Sequence, residues 1–264
     1  MKNNAVKNNR MILIVLGIAS PVAALAAWWT LSENSTNAFF PPLSRIAGRF
    51  ADLWLFEHFQ SDVLLSMGNL FTGFLIGIAA GVVVGFVLAM VPTIRWMFEP
   101  TIHFFRGIPP VAMIPIVITL IGFGPEMRVA NIALAAFFPT LIATMDGIRG
   151  IDGSLKDVCS VYRLTPAERM LRVYLPAAGP QIFSGMQVSL QVSFVVMIAS
   201  EMLGSSQGIG AMTLLAQQSF MSADMWAGIL LLGAIGFLVN IGFELIKGRV
   251  LRWYIGSRRV ERAA

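Results

Sequence analysis

The sequence predicts an all-α fold, a polytopic transmembrane helix bundle with about six spans. Of its 264 residues, 56% are hydrophobic and only 12% are charged, and the mean hydropathy is +0.75. A soluble domain usually carries about twice that charged fraction. Apolar stretches of about 18 residues or more recur along the chain, and each is long enough to cross about 30 Å of hydrocarbon. We therefore expect an integral membrane protein.

Hydropathy divides the chain into spans and the segments between them. The third span is interrupted by Arg106 and by several prolines, and such a break is tolerated at membrane depth only where protein or a cavity supplies partners. The predicted spans are 11–31, 63–91, 100–122, 128–147, 180–203 and 225–247. The predicted regions are an N-terminus 1–10, a first span 11–31, an external amphipathic segment 39–62, a membrane core 63–247 with a polar loop 148–179, and a basic tail 248–264.

The first span also has a second interpretation. Lys2, Lys7 and Arg10 precede an apolar run that contains Ala24-Leu25-Ala26, a pattern that resembles a signal-peptidase site. The run continues to Leu31, which makes it long enough to span. We expect an uncleaved span.

The distribution of basic residues predicts the orientation. With the N-terminus inside, 16 of the 19 Lys and Arg residues fall in the segments 1–10, 91–107, 148–179 and 247–264, and the other three fall outside. Cytoplasmic loops carry an excess of Lys and Arg. Both termini and the polar loop are therefore predicted to be cytoplasmic.

An amphipathic helix is predicted after Pro41-Pro42, on the outer membrane surface. Leu43, Ile46 and Phe50 follow helical spacing, and polar residues lie between them. Such a helix lies in the interface with its apolar face in the lipid. A lipid-facing strut and a contact for an external partner both remain open.

Residue usage excludes several functions. The single cysteine, Cys159, excludes an internal disulfide, and two histidines leave little for a metal site, so none is predicted. The sequence contains no GxxxxGK[ST] motif, so a nucleotide motor must be another chain. The basic residues lie in short gaps between spans, which argues against nucleic-acid binding.

The polar loop 148–179 contains signals for two short helices. Asp152 is a plausible N-cap for the first, and Thr165, Pro166 and Glu168 form a capping-box pattern for the second. We expect the second helix to stop before Pro176. An apolar stripe beside a basic face favours insertion into a groove on a soluble partner, and packing on the bundle itself is the alternative.

This loop resembles the EAA loop of permease subunits of ATP-binding-cassette importers. Aligned on Leu175-Pro176, the EAA triplet falls on Asp157-Val158-Cys159, and the glycine of the family's turn falls on Arg163. An arginine in a left-handed conformation costs roughly 1 kcal/mol. The resemblance implies that the loop docks on the ATPase, with a turn rebuilt at Arg163 or with Arg163 itself reaching the partner.

Further segments resemble the nitrate/taurine/aliphatic-sulfonate branch of these permeases. They are RGIPPVAMIPIVITLIGFGPEMRVANIALAAFFPTLIATMDGIRGID, SEMLGSSQGIGAM and FFPPLSRI. The resemblance implies a type I importer fold in the bacterial inner membrane, a second copy of the permease, two cytoplasmic ATPase subunits and an external substrate-binding protein. No cofactor or catalytic residue is implied in this chain, because ATP and Mg²⁺ would bind the ATPase.

Small and polar residues mark two of the spans. In the second span, Gly73, Gly77, Gly81 and Gly85 recur at i+4 spacing, which allows close helix packing and leaves a substrate path along this groove as the alternative. The fifth span is unusually polar, which indicates a pathway lining or interhelical hydrogen bonds. Its candidate pathway residues are Gln187, Ser189, Gln191, Ser193, Ser200 and Glu201.

Glu201 precedes a glycine-rich turn and a short helix predicted at 211–219. The N-terminus of that helix could attract an anion. Glu201 would repel one, so we interpret it as a structural or gating partner, with Arg128 as the candidate counter-charge.

Two other functions compete with the importer. A self-sufficient secondary transporter or channel usually places coupling carboxylates or histidines inside its spans. Here only Glu201 and Asp146 lie near spans, both close to the ends. An intramembrane hydrolase would need a histidine deep enough to activate a serine, and neither histidine is so placed.

Overall fold

The computed structural model describes residues 2–254 and 256, with the side chains of residues 2–15 and 18 outside the description. Within this part of the chain every regular element is a helix, which confirms the predicted class. The helices are α1 Lys2–Ser32, α2 Leu43–Phe50, α3 Leu64–Met90, α4 Pro92–Arg106, α5 Ile114–Ile121, α6 Pro125–Arg149, α7 Gly153–Val161, α8 Pro166–Glu168, α9 Leu175–Gly204, α10 Ile209–Gln218 and α11 Ser222–Val250. Short π-helical segments occupy Ala51–Glu57, Phe59–Val63 and Arg169–Tyr174, and a 3-10 turn occupies Pro110–Met113.

Four of the described helices are long and apolar enough to cross a membrane. They are Phe59–Met90, Pro125–Arg149, Pro166–Gly204 and Ser222–Val250, and they correspond to the predicted second, fourth, fifth and sixth spans. The predicted first span lies in α1, and its crossing of the membrane stays a prediction. The chain divides into two units, one comprising Gln60–Met212 and the chain from Leu232, the other the chain to Phe59 and Thr213–Leu231.

The predicted third span is a helix broken in the middle. α4 and Pro110–Ile121 pass the same length and hydropathy test together but meet at 92°. The Glu99 carboxylate of α4 lies 3.9 Å from the guanidinium of Arg149, which is the last residue of α6. Ile118 of α5 instead lies 3.4 Å from the Cβ position of Gly204, which also borders Met127 at the start of α6. The pair therefore runs the length of α6, as one broken span does.

This geometry corrects the position of Arg106. Phe105, its neighbour, stacks on Phe138 with ring centroids 6.3 Å apart, and Phe138 lies near the middle of α6. Arg106 therefore lies at the break, inside the predicted span 100–122, although the charge count also included it in the overlapping segment 91–107. Fifteen of the other eighteen basic residues still fall in predicted cytoplasmic segments.

The core of the larger unit is built from α3, α6 and α9. The glycines of α3 face α6, and a Cβ at Gly77 would lie 2.6 Å from the Ala136 Cβ. At Gly81 it would lie 2.8 Å from the Phe137 carbonyl oxygen. Gly73 and Gly85 meet α6 in the same way. In this unit the glycine face is a helix-packing surface, and a substrate path along it stays a prediction.

In the other unit, α2 packs through one face and pairs with the start of α11. Leu43 and Ile46 of its apolar face are buried within the protein, and the predicted contact of this helix with lipid stays a prediction. The Arg49 guanidinium donates to both carboxylate oxygens of Asp224, at 2.5 and 2.8 Å. This pairing with Asp224 raises the pKa of Arg49. Trp226 Nε1 donates to the Phe39 carbonyl at 3.0 Å, so the segment before α2 is also held.

Candidate functional site

The polar loop consists of two capped helices, as predicted. The Asp152 carboxylate accepts the Ser154 N–H at 3.0 Å at the start of α7. At the start of α8 the Thr165 hydroxyl accepts the Glu168 N–H at 3.3 Å, and the Glu168 carboxylate accepts the Thr165 N–H at 3.0 Å. Both predicted caps, including the reciprocal capping box, are confirmed.

The turn between these helices contains a left-handed arginine. Arg163 has φ +50°, and its N–H donates to the Ser160 carbonyl at 3.1 Å. An L-residue pays roughly 1 kcal/mol for this conformation. The Arg163 side chain is exposed, and within the described residues no acidic group lies within ion-pair distance of it. The turn thus keeps a glycine-like backbone while presenting a cation to solvent.

The second loop helix does not stop before Pro176, which corrects the sequence-based expectation. One helix of 39 residues runs from Pro166 to Gly204. At Leu175 the N–H donates to the Met170 carbonyl, five residues back. This wider turn makes room for the ring of Pro176, which a regular α-turn would press against a carbonyl. The second helix of the loop and the fifth span are therefore one continuous helix.

The loop has a buried face that holds it to the spans. Cys159 of α7 and Tyr174 are buried in a cluster with Ile148 at the end of α6 and Ala178 and Ile182 of α9. Leu175 packs against the same cluster. Of the predicted loop residues, Cys159 and Leu175 therefore contact the bundle itself.

The opposite face of the loop is exposed and apolar. Val161 and Tyr162 expose 79% and 75% of their surface, and Leu171 exposes 60%. Asp157 and Val158 also lie on the exposed side. Large apolar side chains in a loop that is predicted to be cytoplasmic are typical of a protein interface. One face of the loop thus packs on the spans, and the opposite face is free to bind a partner.

The serines of the fifth span form packing contacts in this structure. The fully buried Ser189 hydroxyl donates to the Ala136 carbonyl at 2.9 Å, and it lies 2.8 Å from the Thr140 hydroxyl. Ser193 donates to the Ile132 carbonyl at 3.4 Å, and Ser200 to its own helix. The bonds of Ser189 and Ser193 are the interhelical alternative that the sequence left open, and a role of these serines in a pathway stays a prediction.

The two glutamines of the span differ from the serines. Gln187 Nε2 donates to the Glu244 carboxylate at 2.7 Å, and the Lys247 ammonium donates to Gln187 Oε1 at 2.9 Å. This network joins α9 to the last turns of α11. Gln191 is exposed near the middle of α9, where an amide needs water or a protein partner.

The glycine-rich turn after Glu201 is filled by side chains of the protein. The Gly208, Ile209 and Gly210 N–H groups donate to Asp62, Ser66 and Glu201, at 2.6, 3.1 and 2.9 Å. A helix N-terminus binds an anion through such N–H groups. These three are already paired, so the expectation of an anion site at this terminus is wrong.

Arg128 also has other partners than the sequence analysis expected. Its Nη1 donates to the Ser205 hydroxyl at 2.7 Å and to the Gln207 carbonyl at 3.3 Å. It thus holds the turn from the α6 side and makes no direct ion pair with the buried Glu201. The short helix itself is Ile209–Gln218 rather than 211–219.

Sequence reasoning missed Asp62 and Ser66, which cap residues more than 140 positions away. Their only sequence signal is a polar residue at the border of a span. The Arg49–Asp224 pair was missed for the same reason.

Two curated relatives align along most of the chain. The putative aliphatic sulfonates transport permease protein SsuC of Bacillus subtilis (strain 168) is 28% identical over 239 residues, which are 90% of this chain and 87% of the relative. The taurine transport system permease protein TauC of Escherichia coli (strain K12) is 27% identical, covering 91% of this chain and 90% of the relative.

A solved structure shares the fold. A chain from the inward-facing MetNI methionine ABC transporter superposes with a TM-score of 0.62 at 18% identity, covering 71% of this chain and 94% of that one. Residues 73–253 match the family model described as "Binding-protein-dependent transport system inner membrane component". That match includes the capped loop, the broken span and the glycine-rich turn, and it covers more than half of the chain. This chain therefore belongs to the family of binding-protein-dependent transport system inner membrane components.

Proposed function

We propose that the chain is the permease subunit of an ATP-driven importer and works as a pair of identical copies in the inner membrane. The observation that supports this most is the polar loop, which exposes an apolar face and continues without a break into the span Pro166–Gly204. A surface of this kind can receive force from a soluble partner. The two copies would enclose one pathway for the solute.

The partners follow from the family and from the missing nucleotide site. Two cytoplasmic ATPase subunits would dock on the loops, since the chain has no P-loop of its own. A substrate-binding protein would deliver the solute from outside, as the family description indicates. The bias of basic residues supports cytoplasmic termini and a cytoplasmic loop. The basic residues of the tail 248–264 would touch anionic lipid, and those at 257–264 lie outside the described residues.

The solute class is a small sulfonate or a related anion. This proposal is supported by the names of the two relatives, which concern aliphatic sulfonates and taurine. Each of these solutes carries a sulfonate group. Selection among such solutes would rest largely with the binding protein, because it meets the solute first.

The geometry suggests how ATP would drive transport. Nucleotide binding would draw the two ATPases together and displace α7 and α8. Because Pro166–Gly204 is a single helix, this displacement would tilt the span directly. The buried cluster around Tyr174 would carry α6 along with it. The pathway would thereby alternate between an outward-open state that receives the solute and an inward-open state that releases it.

Charge reversals in the loop test the docking step. We expect Asp157→Arg and Arg163→Glu to weaken ATPase association roughly tenfold each, because each replaces an exposed charge with its opposite at the proposed contact. The measurement is the amount of ATPase that co-purifies with the permease in detergent. Arg252→Glu, an equal reversal outside the loop, is the control and is expected to co-purify normally. Wild-type levels for both loop variants would remove the loop from the docking surface.

A further inference from the structure

Arg106 lies at the break of the third span. It is the last residue of α4, and the chain then turns by 92° before it continues as Pro110–Ile121. The preceding Phe105 stacks on Phe138, which is eleven residues from the Arg149 end of α6. At 1.5 Å per residue this is a depth of about 16 Å. With the Arg149 end of α6 at the membrane surface, as the sequence predicts, Arg106 would be a cation near the middle of the membrane.

Arg106 borders a cavity large enough for a small molecule. This cavity of about 310 Å³ is lined by Arg106 together with Pro110, Pro139 and Val192, from the break, α6 and α9. Apart from Arg106 its walls are almost entirely apolar. An apolar cavity with one well-placed charged group is the usual form of a small-molecule site.

Arg106 has no partner that would explain its position. Within the described residues it makes no ion pair and no hydrogen bond, and its side chain is exposed. A charged group in a span almost always faces a cavity or an interior partner, because contact with lipid is expensive. Arg106 also lies farther from the Arg149 end of α6 than an arginine side chain can reach. Its guanidinium therefore cannot extend to the membrane surface, and snorkelling does not remove the cost of placing this charge in the span.

The end of α4 offers a purely structural explanation, which the contacts do not support. A cation at a helix C-terminus is favourable when it interacts with the last carbonyls. The nearby Phe104 and Phe105 carbonyls instead accept the Gly107 and Ile108 N–H groups, both at 3.1 Å. The guanidinium donates to none of the described carbonyls. Its donors therefore remain available.

We propose that Arg106 binds the anionic group of the transported solute, a sulfonate or another small oxyanion, in the cavity between the helix break, α6 and α9. This assignment rests on the importer function proposed above. The planar guanidinium presents several donors that match two oxygens of one such group. Broken helices of transporters commonly supply such binding sites near the middle of the bilayer.

The first test is uptake by the complete assembly of permease, ATPase and binding protein in proteoliposomes, with taurine and ethanesulfonate as probes. Arg106→Gln is expected to slow uptake roughly 10- to 100-fold, since a charge-assisted hydrogen bond is lost. Arg106→Lys should retain part of the uptake rate, because lysine keeps the positive charge but lacks the planar set of guanidinium donors. Arg95→Gln, on the same helix but paired with Glu99, is the matched control and should transport normally. Uptake by Arg106→Gln at the wild-type rate would overturn the proposal, as would dissociation of the permease pair in that variant.

A labelling test is independent of uptake. Cys159 is the only cysteine, so Arg106→Cys in a Cys159→Ala background carries one thiol. We expect a membrane-impermeant, water-soluble sulfonate reagent of the methanethiosulfonate class to modify Cys at position 106. Phe237→Cys, at an exposed apolar position of α11, should stay unmodified. Lack of reaction at position 106 would show that it does not face water and would overturn the site even if the importer function holds. If wild-type uptake fails while position 106 reacts, the importer function fails instead.

Discussion

Replacing Gly77 by leucine is expected to prevent the membrane core from assembling. A Cβ at this position already falls 2.6 Å from the Ala136 Cβ and still closer to the Ala133 carbonyl oxygen. Because both groups belong to the rigid α6 helix, neither can move aside like the end of a flexible side chain. Even Gly77→Ala should cost about 1–3 kcal/mol by overpacking. We expect leucine to yield aggregated protein.

Gly68 provides a matched control on the same helix. A Cβ there meets nothing within 4 Å, so Gly68→Ala should gain up to about 1 kcal/mol from helix propensity. The measurement is thermal unfolding in detergent, followed by tryptophan fluorescence, with size-exclusion profiles for aggregation. Equal melting temperatures for Gly77→Ala and Gly68→Ala would contradict the close packing of α3 on α6.

Substitutions at two tyrosines of the loop are expected to separate the docking of the ATPase from the transmission of its motion to the spans. Tyr174 is buried in the cluster that joins α7 to α6 and α9. Its replacement by alanine should cost roughly 3 kcal/mol or more in local packing. We expect Tyr174→Ala to keep the ATPase bound and hydrolysing ATP while uptake falls at least severalfold, because motion of the loop no longer reaches α6.

Tyr162 should show the opposite behaviour. Its side chain is 75% exposed, so Tyr162→Ala leaves the fold intact but removes a contact from the proposed docking face. Interface tyrosines often contribute about 2 kcal/mol or more to binding. ATPase co-purification and ATP-driven uptake, measured on both variants, give the two readouts. If both variants lose association alike, the division of the loop into a packing face and a docking face is wrong.

Much of this fold could be predicted because its signals are local. The apolar runs marked the spans, and the caps at Asp152 and Thr165 marked the loop helices. A cap needs only residues within one turn of each other. The spacing of the four glycines likewise marked a helix-packing face before its partner α6 was known.

The errors arose where distant residues or subtle backbone geometry decide the structure. Pro176 was expected to end a helix, but a π-helical turn accommodates it, and no sequence pattern specifies that turn. An anion was expected at the glycine-rich turn because the residues that cap it, Asp62 and Ser66, are far away in the sequence and lie on another helix. Arg106 was predicted inside the third span 100–122 but was also counted as cytoplasmic, because the segment 91–107 used for the charge count overlaps that span.

The central claim, that this chain imports a solute with energy supplied by another chain, has one direct measurement. Purified permease is placed in proteoliposomes with the ATPase and the loaded binding protein, and uptake is followed with each component omitted in turn. We expect ATP-dependent uptake from the complete assembly, and none when the ATPase, the binding protein or ATP is left out. Accumulation of solute by the permease alone would contradict the account and favour a self-sufficient transporter or channel.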